Sequence, residues 1–348
     1  MASANYGLFQ LLPYEIRREI LMYAFGNRTV HMDIRYDHPV MPLDKRILDP
    51  DLKSYHVLLP PQRQQRRLLE KRKPKKWQWQ SSICHRKGHS GGPMFDIPFY
   101  DQCHDGENVW CGFWRDERET SCFIGIMGWL VSCRRAYMEG IDVLYSTNTI
   151  HMANTTMIRN LPRLLPAQRL ASIRSVEMLW NLHLFRADKL GDAPDSGTSA
   201  FHALLDMIPM LFPNLRKLYI SLQGELRSVG TLDERYGTVE ATILIPLDAM
   251  VRSLSANVQT CDIAVPYTVY VPIKHRATGH PGLGNRRLRN KVWERVWREL
   301  PHVALEGAGC TTHLAGFWIY RGFQDMCVDP AVGYSDLSEE GDYEIIWE

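Results

Sequence analysis

The chain of 348 residues is defined first by what it does not contain. It has no apolar run of about 18 residues, so no membrane-spanning helix and no membrane partner are expected. The opening residues, MASANYGLFQ, carry no basic start, no apolar centre and no small-residue cleavage site. Export is therefore not expected, and a cytoplasmic location is. Eight cysteines are too few for a disulfide scaffold in a chain of this length, and reduced thiols are the expectation. There is no G-x-x-x-x-G-K loop, and no G-x-G-x-x-G follows a strand pattern. TGHPGLGNRR reads more simply as a flexible loop, and no cofactor is expected. No motif recurs at a fixed period, which argues against a solenoid.

What is present is the composition of a globular protein, 45% hydrophobic and 23% charged. The formal net charge of +2 hides an uneven distribution. Between Arg63 and Lys76 stand Arg63, Arg66, Arg67, Lys71, Arg72, Lys73, Lys75 and Lys76 against Glu70 alone, and Trp77 and Trp79 follow. Cations interleaved with indoles suit a phosphate backbone with unpaired bases stacked on the rings. A solvated surface run, or a contact with the acidic stretch from Asp329 to Glu348, reads equally from the charge pattern. Cys84, His85, His89, Cys103, His104, Cys111 and Cys122 supply zinc-type ligands, yet no C-x-x-C pair occurs among them. Structural thiols are the expectation there, and no metal.

The hydrophobic pattern predicts a helix over 13–25, begun by Pro13 and ended by Gly26-Asn27, with Leu12, Ile16 and Ile20 buried in the chain. RTVHMDIRY alternates like a strand. Residues 37–122 read as an irregular insertion, with a basic helix over 63–80 cut at Pro74. From there strand and helix patterns alternate. GWLVSCRRAYMEGIDVLYS is helical and TNTIHMA a strand. TTMIRNLPRLLPA is helical and SIRSVEMLWNL a strand. SAFHALLDMIPMLF is helical and LRKLYISL a strand, and PLDAMVRSLS is helical. CDIAVPYTVYV is extended, NRRLRNKVWERVWREL helical and GFWIYRG a last strand. This alternation predicts one α/β domain over 1–348, a mostly parallel sheet with flanking helices and an acidic tail over 329–348.

Three segments carry a family resemblance: LLPYEIRREILMYAFGNRTVHM, CFIGIMGWLVSCRRAYMEGIDVLYSTNTIHM and LPRLLPAQRLASIRSVEMLWNL. They are similar to fungal F-box-like proteins of unknown function, and GFWIYRGFQ looks like that family's closing segment. One branch of the family comprises arginine-containing cyclodipeptide synthases. The resemblance to that branch implies an aminoacyltransferase that takes arginine and a second amino acid from charged tRNAs and closes them into a diketopiperazine. The alternative is an F-box-like adaptor, or another non-catalytic interaction protein, whose partner is the ubiquitin-ligase core subunit.

An α/β sheet binds ligands at the carboxyl ends of its strands. These ends nominate His183 and Ser221 for catalysis, and Asn181, Gln223 and His151 for substrate binding; Glu177 is a further catalytic candidate. His183 would be a base and Ser221 an acyl acceptor, although each is also an ordinary polar residue at a strand end. Glu177, inside a strand expected to be covered on both faces, needs a cation or a donor. A substrate guanidinium would serve, and so would Arg174 or Arg216 of the chain itself. Lys71, Arg72, Lys73, Lys75, Lys76 and Trp77 are the candidates for tRNA contact.

Overall fold

The computed structural model describes residues 7–39, 72–84, 124–182, 196–223, 231–254, 256–279, 295–300 and 314–322. Its strands are β1 (Thr29–Asp37), β2 (Lys76–Ile83), β3 (Thr149–Met152), β4 (Ser175–Asn181), β5 (Lys217–Gln223), β6 (Thr260–Val265), β7 (Arg295–Glu299) and β8 (Gly316–Arg321). Its helices are α1 (Tyr14–Phe25), α2 (Ile126–Leu130), α3 (Arg134–Ser146), α4 (Thr155–Leu164), α5 (Ala167–Ser172), α6 (Ser196–Leu211), α7 (Leu232–Val239), α8 (Ile245–Ser253) and α9 (Tyr267–Gly279). The eight strands form one sheet in the order β2-β1-β3-β4-β5-β6-β8-β7. β1, β3, β4, β5, β6 and β8 run parallel; β2 and β7 are antiparallel strands at its two sides. This is an α/β fold. No described helix is long and apolar enough to cross a membrane.

The order of the strands decides where the helices go. Each parallel strand lies beside the one before it, and the sheet grows in one direction only. Parallel crossovers are right-handed, so successive connections of this kind all fall on the same face. The core agrees. Met32, Ile34, Ile150, Met152, Val176, Met178, Trp180, Leu218, Ile220, Leu222, Ile263, Val265, Phe317 and Ile319 share one side of the pleat and pack with residues of α4 to α9. The helices supply Ile158 and Leu161, Phe201 and Ile208, Leu247 and Val251, and Val269 and Ile273 at helical spacing. The other face of the sheet carries His31, Asp33, His151, Glu177, Tyr219, Ser221 and Asp262, with Leu179 and Ala264 among them.

α1, α2 and α3 form a separate group. Ile126, Leu130 and Ile141 make a small core, with Phe25, Trp129 and Leu144 against it. The E-G-I and S-T-N-T runs of the sequence are explained here by packing. Glu139 accepts from both Nε and Nη2 of Arg17 of α1. Gly140 lies where an added Cβ would meet Trp129 Cδ1 at 2.7 Å. The buried Asn148 side chain accepts from Arg28 N at 2.9 Å and donates to Phe25 O and Leu144 O at 2.9 and 3.0 Å. It thereby ties the ends of α1 and α3 together, satisfying helix-terminal groups that would otherwise lack partners.

Several local expectations are corrected. On α1, Arg17 and Leu21 are buried, whereas Ile16 and Ile20 are 44% and 39% exposed. The side of α1 that turns inward is set by Arg17's ion pair. WQWQ belongs to β2, within the stretch expected to be irregular; Trp77 and Trp79 alternate with Gln78 and Gln80 at the period of a strand. The helix expected over 128–146 is two helices, broken at residues 131–133. CDIAVPYTVYV is extended only as far as Val265, because Pro266 opens α9, where no partner for its missing N–H is required. RVWRE is the strand β7, paired antiparallel with β8, not part of a helix. α7, begun by a capping box of Thr231 and Glu234, falls in a stretch with no helix expectation. The acidic tail lies outside the described residues, as do residues 85–122 of the Cys/His-rich stretch.

Candidate functional site

The polar face is built by strict alternation. In β1, Val30, Met32 and Ile34 turn to the helices, so His31 and Asp33 turn away. In β4, Val176, Met178 and Trp180 turn to the helices, so Glu177 turns away. Register then sets these residues in one line across the sheet. His31 lies opposite His151, His151 opposite Glu177, Glu177 opposite Tyr219, Tyr219 opposite Asp262, and Asp262 opposite Trp318. Polar side chains in the middle of a parallel sheet are unusual, since such strands normally read as apolar runs covered on both faces.

The centre of the line is a His–carboxylate pair. His151 Nδ1 donates to Glu177 Oε2 at 3.0 Å, with the imidazole fully buried. The ring of His31 meets that of His151 edge-on, centroids 4.7 Å apart. The partner expected for Glu177 was Arg174 or Arg216. The structure gives it His151 instead, because neighbouring parallel strands bring opposed side chains together whereas both arginines precede their strands.

Asp33 lies one step further along β1 and is also buried. Its carboxylate accepts from the backbone N–H groups of Ala153 and Asn154, both at 2.9 Å. Burial raises its pKa, opposed by the Ala153 N–H, then by His151 and His31. Asn154 accepts from Met157 N at 3.0 Å, capping α4, and donates to the carbonyl of Ile34. Asp33 and Asn154 therefore fix the chain where it leaves β3 after Met152.

At the other end of the line, burial pushes the Asp262 carboxyl up to about 6, with Arg295 acting against it. The Arg295 guanidinium lies 4.1 Å from the centre of the Trp318 ring and donates to the Tyr320 hydroxyl at 3.0 Å. Trp297 stands edge-on to Trp318 at 5.0 Å.

Of the site residues read from the sequence, His151 and Glu177 are in contact. Ser221 is buried on the same face but stands opposite Leu179, a strand over and two residues beyond Glu177. Sheet spacing puts that offset at roughly 8 Å, outside hydrogen-bond reach of the pair. Asn181 and Gln223 are register partners at the ends of β4 and β5. His183 and Lys71 lie outside the described residues. Arg72, Lys73, Lys75, Lys76 and Trp77 are exposed at the start of β2, at the far side of β1 from His151. They are not part of the buried line. Among the described residues, no group of three or more His, Cys, Asp or Glu is arranged to hold a metal ion.

His31, Asp33 and Asp262 were missed by the sequence reading. The signal was the alternation itself: V-H-M-D-I and C-D-I set titratable residues between the core-facing ones of strands inside a parallel sheet.

Residues 2–269 match the family described as a domain of unknown function, DUF7730. The chain belongs to the DUF7730 family. The DUF7730 segment contains His31, Asp33, His151, Glu177, Tyr219 and Asp262, while Arg295, Trp318 and Tyr320 follow it. No curated protein and no solved structure matches the chain.

Chemically, a carboxylate on one imidazole nitrogen fixes the tautomer and the orientation of the ring. With Nδ1 on Glu177, proton exchange with a substrate would run through Nε2 of His151. The line offers a base, carboxylates for a cationic group and phenolic hydroxyls.

Proposed function

We propose that this protein is an aminoacyl-transferring enzyme of the polar sheet face, a tRNA-dependent cyclodipeptide synthase that joins arginine to a second amino acid. The observation that carries the reading is the buried His151–Glu177 pair, 3.0 Å apart in a line of titratable side chains. The family resemblance of the sequence supplies the substrate class. The α-amine of one aminoacyl group gives a proton to His151 and attacks the ester carbonyl of the other. An amide bond forms, the ester bond to the tRNA ribose breaks, and the departing ribose oxygen takes the proton. A second aminolysis closes the ring and releases the second tRNA. The esters are already activated, so the reaction needs no nucleotide cofactor. Asp262 and Glu177 are the carboxylates suited to a guanidinium. Ser221 remains the candidate for a covalent route.

A second reading is supported by a different observation. Leu11, Tyr14, Ile16, Ile20 and Tyr23 of the N-terminal segment are exposed, and a large exposed apolar surface suits a protein partner. This would be the adaptor, with the ubiquitin-ligase core subunit as partner.

One experiment separates them. The chain is expressed in a bacterial host and the medium analysed by mass spectrometry for arginine-containing diketopiperazines. Product that disappears in Glu177→Gln supports the enzyme. No product from the folded protein, together with co-purification of the ligase core subunit that is lost on replacing Ile16 and Ile20 by Ser, supports the adaptor.

A further inference from the structure

The face of β1 and β2 that carries the core at one end carries an aromatic patch at the other. Val30 and Met32 are buried beneath the helix layer, but Tyr36 at the end of β1 is 55% exposed. Tyr36 pairs in register with Trp77, and Ile34 with Trp79. All four therefore share one side of the pleat. Trp77 and Trp79 are 53% and 51% exposed. The rings of Tyr36 and Trp77 are already neighbours, centroids 5.4 Å apart. Three large aromatic side chains thus stand together with half of each in solvent, where burial would ordinarily be favourable.

Charge borders the same patch. β2 begins at Lys76, opposite Asp37 at the end of β1, so residues 72–75 enter at that end. Arg72, Lys73, Lys75 and Lys76 are all exposed. The entry is held in place: His38 Nδ1 donates to Lys73 O at 2.6 Å, and Gln78 Nε2 to His38 O at 3.2 Å. The cations are tethered beside the rings.

We infer that Tyr36, Trp77 and Trp79 form a stacking platform for the unpaired bases of a single-stranded RNA segment, whose phosphates are held by Arg72, Lys73, Lys75 and Lys76. Side chains at alternate positions of one strand stand roughly 7 Å apart, and extended unstacked nucleotides bridge such a gap one by one. Every base offers a π face, so the platform tolerates sequence but requires the bases to be unpaired. A duplex hides its bases and offers only phosphates, so it loses the aromatic part of the interaction. A protein strand added to the outer side of β2 would use backbone groups in the plane of the sheet. The rings project from its face. The choice of RNA rests on the tRNA reading above, and the unpaired end that bears the aminoacyl ester is the natural occupant.

The test uses the full chain, an unstructured 12-nucleotide RNA and a duplex of the same sequence, with tryptophan fluorescence as readout. The single strand should bind more tightly than the duplex. Trp77→Ala and Trp79→Ala should each weaken it about 5- to 150-fold, with Trp77→Phe retaining most of the affinity and confirming that the fold is intact. Lys73→Ala with Lys75→Ala should weaken both ligands and flatten the dependence on salt. Equal affinity for strand and duplex, or unchanged binding in the tryptophan variants, would overturn the platform. So would preferential capture of an acidic peptide. RNA binding without any diketopiperazine product would leave the platform standing and remove the synthase. Product from a protein whose tryptophan variants bind and react normally would do the reverse.

Discussion

Arg17 and Glu139 are 122 residues apart in the chain and form a two-pronged ion pair, Nε to Oε2 at 3.0 Å and Nη2 to Oε1 at 2.8 Å. The pair fastens α1 to α3. Both side chains are largely buried, 4% and 12% exposed. Removing Glu139 leaves the Arg17 guanidinium without its carboxylate in a low-dielectric place, which costs about 3–5 kcal/mol, whereas removing Arg17 leaves Glu139 still paired with Arg135 at 3.1 Å and costs less. Glu139→Ala should lower the unfolding free energy obtained from urea titration by that amount, and Arg17→Ala by less, both through the midpoint and without a change of slope. The double change to Met and Leu should recover most of it. A loss under ~1 kcal/mol in Glu139→Ala would mean that the pair is solvated.

Gly140 and Asn148 should be intolerant for different reasons. Gly140→Ala drives a methyl group to within 2.7 Å of Trp129 and 3.0 Å of Leu130, an overpacking that costs about 1–3 kcal/mol. Asn148→Ala strands one buried N–H and two carbonyls, for about 2 kcal/mol or more. Thermal melts of the two variants give the comparison. Asn148→Asp should not rescue, since a carboxylate cannot donate to Phe25 O and Leu144 O.

Asp262 gives the fold a pH dependence of defined sign. Its folded pKa, about 6, lies above the ordinary 3.8. Between those values the folded state binds more protons than the unfolded one, so stability falls as pH rises through the window. The full shift corresponds to about 3 kcal/mol, less whatever solvent screens. Asp262→Asn should be more stable than the parent at pH 7 and no more stable below pH ~4. Urea titrations of both proteins at pH 4, 5, 6 and 7 measure the difference. An equal response of parent and variant would place Asp262 in solvent.

Within the proposed synthase, Glu177→Gln keeps the size of the side chain but removes the charge that steadies His151. Product yield should fall about 10²-fold or more, while the melting temperature changes far less. His151→Ala should be at least as damaging. If Glu177→Gln retains full yield, the pair has no part in the chemistry.

β1, β3, β4, β5, β6 and β8 were legible, because period two survives in sequence whenever one face is apolar, whereas β2 and β7 were not. Glu177 and His151 were legible for the same reason, and their mutual contact was not, since a pairing between β3 and β4 depends on register. α1 misled because its apolar positions, Ile16 and Ile20, look like a buried stripe, while the residue that turns inward is an arginine whose partner lies far along the chain. VWREL and YTVYV misled because short apolar runs fit either period, and only Pro266 and the pairing with β8 decide them. The capping box at Thr231 was readable and was passed over.

The one-directional order of the sheet bears on how the chain assembles. From β3 to β6 each strand joins the one synthesised just before it, across a separation such as the 26 residues between Thr149 and Ser175. This part can add strand by strand as the chain emerges from the ribosome. β1 cannot, since Asp33 meets Ala153 only after 120 residues. Roughly two further doublings of the closed loop cost about 1.3 kcal/mol more than a β3–β4 closure. The first strand made thus waits for the third before it has a parallel neighbour, and the line through His31, His151 and Glu177 completes only when that long loop closes.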